Sequence, residues 1–198
     1  MFSSIAEILY SKPMPKSRST SHRVVHARSS RKQSTMSDAA SFTAAVLTIS
    51  DSCARGERRD VSGSEVAKVL AKAGFEVTQT GVVPDDSEQI RQSLLDLVAT
   101  ARFVVTTGGT GISPRDVTPE ATRAICDRLL DGVAERMRIE GSKKTSFAAL
   151  SRGVCGVLGT TLILNLPGSP RGAVESLSAV IDLIPHALNL LEGKTEHS

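Results

Sequence analysis

The chain has no tryptophan, one tyrosine and only 3% aromatic residues over its 198 positions. Its core must therefore be aliphatic, assembled from Val, Leu, Ile and Ala. Cysteine is equally sparse. Cys53, Cys126 and Cys155 form neither a C-x-x-C pair nor an even set, which argues against structural zinc and against a disulfide framework. A reducing, cytoplasmic setting is the expectation. Of four histidines, His22, His26 and His197 fall in the tails and His186 falls inside an apolar helical pattern. None stands where a metal ligand or a catalytic base is needed. No apolar run reaches the length of a membrane span. Two nucleotide motifs are also missing. Gly111 is followed by Ile112-Ser113 rather than Lys and Ser/Thr, and Gly108-Gly109-Thr110-Gly111 does not match G-x-G-x-x-G. A P-loop NTPase and a Rossmann dehydrogenase are both disfavoured.

The net charge of +3 is unevenly placed. Residues 1–36 hold seven Lys or Arg against one acid, Glu7, so residues 37–198 carry about −3. The basic character belongs to the leader, and the remainder has no composition that argues for nucleic acid. Residues 1–40, rich in Ser, Arg and Lys, cannot bury enough apolar surface to order themselves. A transit peptide and a basic tail touching an acidic partner are competing readings; a disordered leader is the one adopted, with Met36 as an alternative start. The expected organisation is a leader at 1–40, one domain at 41–194 and a short tail at 195–198.

Within the domain, strand and helix patterns alternate. Thr43–Ser50 reads as a buried strand, followed by a polar loop from Asp51 through Gly63. A helix over about 64–73 stops at Gly74. Phe75–Thr80 alternates like a strand, and a helix carrying Ile90, Leu94, Leu95 and Leu97 follows Pro84-Asp85-Asp86. Phe103-Val104-Val105 is a third strand. A helix with Ala121, Ala124, Ile125 and Leu129 is next, then a helical stretch over 131–150. Strands at 153–158 and 161–166 are close enough to pair as a hairpin. A final helix carries Val174, Leu177, Ile181, Ile184, Leu188 and Leu191, interrupted near Pro185. This order predicts an α/β fold with a mainly parallel, mixed sheet.

Ligands of such sheets sit beyond the carboxyl ends of the strands. Four loops leave such ends: Ser50-Asp51, Pro84-Asp85-Asp86, the glycine loop Gly108–Thr118, and Asn165–Arg171. The glycine loop is the most informative. It follows a buried strand and runs into Thr118-Pro119, which reads as an N-cap and a first-turn proline. Backbone N–H groups and the positive end of a helix dipole then face one space, an anion cradle. Arg115 in that loop could hold a phosphate, and Asp116 a magnesium ion shared with it. Each residue also has a plainer role open to it. Asp85 fits a capping box with Glu88, although Asp86 and Ser87 can cap equally well. Asp51 and Asp116 could be turn residues bonding their own backbone. Ser169-Pro170 is a helix start that also suits a second anion seat beside Arg171. Cys53 has no base beside it and no evident helix N-terminus.

The blocks Thr48–Asp51, Asp60–Gly63, Pro84-Asp85, Thr107–Gly111, Arg115–Glu120 and Leu166–Pro170, in that order, resemble the molybdopterin-binding family that includes Mog, MoaB and the G domain of gephyrin. The resemblance spans residues 42–192. It implies a three-layer α/β/α sandwich, usually a homotrimer, that binds molybdopterin and in its enzymatic members transfers AMP from ATP to the molybdopterin terminal phosphate, releasing pyrophosphate. It implies Asp85 and Asp116 as catalytic residues, with Asp116 on Mg²⁺. Ser50, Asp51, Gly108, Gly109, Thr110, Gly111, Arg115, Pro167, Gly168 and Ser169 would bind molybdopterin or nucleotide. Other cofactor-biosynthesis proteins are implied as partners. The chain lacks a long insertion before its last helix and is nearer in length to MoaB than to Mog. Two alternatives remain: a MoaB-like protein that binds without catalysing, and a CinA-like nucleotide hydrolase, whose glycine loop fits less well.

Overall fold

The computed structural model describes residues 42–194; the expected leader at 1–40 and the tail at 195–198 lie outside the described residues. Six strands form one sheet in the order β2-β1-β3-β6-β5-β4. These are β1 (Thr43–Ile49), β2 (Glu76–Val83), β3 (Phe103–Thr107), β4 (Arg128–Leu129), β5 (Cys155–Leu158) and β6 (Thr161–Leu166). β2, β1, β3 and β6 are parallel neighbours. β5 pairs antiparallel with both β6 and β4, so the mixed sheet anticipated from the hairpin is present.

Side-chain alternation divides the core into two apolar layers. Ala44 and Val46, Phe103 and Val105, and Leu162, Leu164 and Leu166 face one side. There they meet Val66 and Leu70 of α2 (Ser62–Lys72), Ala134 and Met137 of α5 (Asp131–Ser142), Ala173 and Leu177 of α6 (Pro170–Ser178), and Ile184 and Leu188 of α7 (Ile184–Leu191). Ala45, Leu47, Ile49, Val104 and Ile163 face the other side. They meet Ile90, Leu94 and Leu97 of α3 (Ser87–Val98) and Ala121 of α4 (Thr118–Arg123). The three-layer α/β/α sandwich follows. Its one aromatic ring pair, among the described residues, is Phe75 against Phe103, with centroids 5.5 Å apart.

Several elements depart from the patterns. Asp51–Ala54 is not loop but a short helix, α1, because Ser50 caps it by accepting from Cys53 N–H at 3.3 Å. β2 extends to Val83 rather than Thr80, since β1 offers ladder partners as far as Ile49. The helix expected to reach Leu129 ends at Arg123; Asp127 N–H and Leu130 N–H donate to the β5 carbonyls of Val157 and Cys155, which draws Arg128–Leu129 into β4. Residues 131–150 divide into α5 and a 3₁₀ turn at Ser146–Leu150, capped by Thr145. The final helix is three pieces. It breaks at Ala179–Val180, ahead of a 3₁₀ turn at Ile181–Leu183, and Pro185 lies in the first turn of α7, where its missing N–H costs nothing. Among the described residues no single helix is long and apolar enough to cross a membrane. α6 and the segment Ile181–Leu191 pass that test only as a pair bent by 42°, and their apolar faces are packed in the core.

Candidate functional site

β2 and β3 flank β1 on opposite sides, and the helices that follow β1 and β3 pack on opposite faces of the sheet. Their C-terminal loops thus diverge and leave a crevice, the switch point at which α/β sheets take ligands. All four predicted loops meet there. Asp51 N–H donates to Asp85 Oδ2 at 2.9 Å, and Asp85 N–H returns a bond to Asp51 Oδ1 at 3.1 Å. Asp85 is free for this because Asp86, not Asp85, caps α3 by accepting from Gln89 N–H. Thr107 Oγ1 donates to Pro167 O at 2.7 Å and Gly108 N–H to Leu166 O at 3.2 Å, which joins the glycine loop to the β6–α6 loop. Ser62 Oγ donates to Gly168 O at 2.7 Å. Asp60 accepts from Thr48 Oγ1 and from Gly63 N–H, so the start of α2 is tied to β1.

Two glycines are demanded by space as well as by backbone. Gly108 has φ +105°, and a Cβ there would stand 2.2 Å from Ile49 O. Gly109 has φ +60°, and its Cβ would meet Thr118 Oγ1 at 2.4 Å and Asp85 Oδ1 at 3.3 Å. Thr118 is not the N-cap expected of it. It is the first residue of α4, and its hydroxyl instead donates to Gly108 O at 2.9 Å while its N–H reaches Gly109 O. Among the described residues the N–H groups of Gly109, Thr110, Gly111 and Ile112 donate to no protein group.

Arg115 does not lie free. Its Nη2 donates to Asp51 Oδ2 at 2.5 Å, bridging the glycine loop to the start of α1. The Asp85 N–H first, and the Arg115 guanidinium second, hold the Asp51 carboxyl below its usual pKa. Asp116 Oδ2 accepts from Ser113 N–H at 2.7 Å, the turn role that competed with metal binding; its Oδ1 takes no hydrogen bond among the described residues. Ser169 caps α6 by accepting from Gly172 N–H, and Arg171 pairs with Glu175 at 3.0 Å. No group of three or more His, Cys, Asp or Glu among the described residues converges as metal ligands would.

A cavity of about 400 Å³ opens beside the loop. Gly109, Thr110, Gly111 and Asp116 line one wall, Pro167, Gly168 and Ser169 a second. Asp51 and Asp85 do not line it; they adjoin it through Gly109. Sequence reasoning missed the third wall, Thr145, Phe147, Ala148 and Leu150, where Phe147 is 77% exposed. The signal was an apolar run too short and too irregular for the helix read there. It also missed Arg152, whose guanidinium grips the glycine loop.

A mainly parallel, mixed sheet with a glycine loop and flanking aspartates at its switch point defines an α/β domain whose candidate site lies at the carboxyl ends of its strands. Residues 45–186 match the family model described as probable molybdopterin binding domain, and the chain belongs to that family. It is 38% identical over 152 residues to the molybdopterin adenylyltransferase of Helicobacter pylori strain J99, covering 75% of this chain and 86% of that one. It is 42% identical over 155 residues to the molybdenum cofactor synthesis protein cinnamon of Drosophila melanogaster, covering 76% of this chain but only 26% of that longer protein. The crystal structure of the molybdopterin biosynthesis enzyme MoaB from Thermus thermophilus superposes with a TM-score of 0.73 at 51% identity, covering 77% of this chain and 98% of that one.

Proposed function

We propose that this protein is a molybdopterin adenylyltransferase of molybdenum cofactor biosynthesis. A terminal phosphate oxygen of molybdopterin attacks the α-phosphorus of ATP. The new P–O bond forms as the bond from the α-phosphorus to the bridging oxygen breaks, and its electron pair leaves with pyrophosphate. Such a transfer needs positioning and charge compensation more than covalent help from the protein. The observation that carries the reading is the run of N–H groups from Gly109 to Ile112, unpartnered among the described residues and set between Asp85 and Asp116. In this reading those N–H groups, with the Gly168-Ser169 turn, hold phosphate oxygens. Arg115 exchanges its bond to Asp51 for one to a phosphate. Ser50 and Asp51 border the same phosphates, and the cavity between Thr110 and Pro167 takes the pterin or the nucleotide.

Mg²⁺ fits the donors present. Oδ1 of Asp116, which takes no hydrogen bond among the described residues, is a hard oxygen, and a cation held by one or two carboxylates plus phosphate oxygens and water needs no larger protein cluster. Gly111 leaves room, since a Cβ there would stand 3.0 Å from Asp116 Oδ2. When bound, Mg²⁺ would neutralise phosphate charge; Asp116 would hold it, with Asp85 as the second carboxylate beside the phosphates. A homotrimer, a cytoplasmic location and other cofactor-biosynthesis proteins as partners belong to the same proposal.

The test is pyrophosphate release from Mg²⁺-ATP by the full chain, with and without molybdopterin. Release that needs molybdopterin and yields its adenylylated form supports the reading. Tight molybdopterin binding without turnover replaces it with a binding-only role. Hydrolysis without the pterin moves the protein to a CinA-like activity.

A further inference from the structure

Arg152 lies between the 3₁₀ turn and β5, outside every sequence block that points to the site. Its main-chain N–H donates to Thr110 O at 2.9 Å. Its guanidinium uses all three nitrogens: Nε donates to Gly111 O at 2.6 Å, Nη2 to Asp116 O at 2.5 Å, and Nη1 to the Glu120 carboxylate in the first turn of α4. One residue thus collects three carbonyls from the two ends of the glycine loop.

A trans peptide is planar, with its C=O and the following N–H pointing in opposite directions. Drawing Thr110 O, Gly111 O and Asp116 O toward Arg152 therefore turns the N–H groups of Gly111, Ile112 and Val117 away from it. Those three N–H groups have no acceptor among the described residues. The same bond to Asp116 O fixes the main chain from which that carboxylate projects. The fork suits the task because three donors at set angles are needed; a lysine ammonium, a point charge on a flexible stem, cannot satisfy three divergent acceptors in one pose.

We propose that Arg152 is a positioning residue: by holding three loop carbonyls on one side it presents the loop N–H groups and Asp116 to the phosphates. The role in turnover rests on the adenylyltransferase reading, and the presentation of the N–H groups does not. Arg152→Lys keeps the charge and loses the fork, so it separates the two. In Arg152→Lys, amide hydrogen exchange at Asp116, Thr118 and position 152, whose N–H groups are bonded to Ser113 O, Gly109 O and Thr110 O of the loop, is expected to quicken tenfold or more, with β3 and β6 amides unchanged. Affinity for inorganic pyrophosphate, used as the probe anion, is expected to weaken tenfold or more. If the wild-type protein turns over, half-saturating Mg²⁺ rises and kcat falls by similar factors. Arg152→Ala repeats the pattern more strongly. Wild-type loop exchange and wild-type anion affinity in Arg152→Lys would overturn the proposal. So would exchange that quickens evenly through β3 and β6, which would make Arg152 a support of the fold alone. Wild-type protein without turnover, together with a loosened loop in Arg152→Lys, would sink the enzymatic reading and leave the positioning role standing.

Discussion

The parallel half of the sheet, β2-β1-β3-β6, and its margin, β5-β4 with α5 and the 3₁₀ turn, divide the labour unequally. The parallel half ends in all the groups proposed to hold phosphate: the Asp51–Asp85 pair, the glycine loop and the Pro167–Ser169 turn. The margin offers the cavity's apolar wall at Phe147 and Leu150, and the arginine that holds the loop. Reactive groups come from strand ends because parallel strands deliver loops to one edge. Loops so delivered have few ladder bonds of their own, so their shape is held from outside.

That contrast is broken most severely at the carboxylates. Asp116→Asn and Asp85→Asn should each lower molybdopterin-dependent pyrophosphate release by about 100-fold or more, the scale on which charge-stabilising groups act, with the thermal midpoint little changed. A near-normal rate in Asp116→Asn would remove Asp116 from the reaction. Next is Gly108→Ala. Positive φ alone costs about 1–3 kcal/mol, and the clash with Ile49 O adds to it. A urea midpoint equal to wild type would show that the loop is not as tightly held as the geometry requires.

On the margin the expected effects are smaller. Burial pushes the Cys155 thiol up to about 12 and the Cys126 thiol, with help from Asp127, up to about 11. The unfolded chain loses these protons first, so stability falls as pH rises from about 9 through those values. Urea midpoints in Cys126→Ser/Cys155→Ser should lose part of that alkaline slope. On the parallel rim the sign is opposite. The depressed Asp51 carboxyl contributes above its usual range near 3.8 and its contribution is lost as pH falls through the lower folded value, so an Arg115→Gln protein should show a weaker acid limb. The least effect is expected from Arg136→Ala, which removes an exposed pair between α5 and Asp182 of the 3₁₀ turn at Ile181–Leu183. Such pairs are worth roughly 0–1 kcal/mol, and a larger loss in midpoint would make the margin more than a support.

The sequence was most readable where one local rule sufficed. The aliphatic runs at 43–49 and 161–166 are buried on both faces and admit little but central strands. Gly74 ends α2 in a left-handed conformation as its position implied. It was least readable where a neighbour overrode local preference. Arg128–Leu129 belongs to an apolar helical period yet is drawn into β4 by the carbonyls of β5. Ser50 and Thr118 are both cap-forming residues at loop ends, but only Ser50 caps; the Thr118 hydroxyl is taken by Gly108 O.

By itself the sequence determined the order of every strand but β4 and of the longer helices, and the positions of the glycine loop, Asp85 and Asp116, because periodicity, caps and glycine content act over a few residues. Tertiary structure decided that Asp85 faces Asp51 across 34 positions, that Arg115 closes on Asp51, and that Arg152 reaches 36 positions back to Asp116. Those contacts arise from how the layers stack, and a hydrogen bond between distant residues leaves no period in the chain to read.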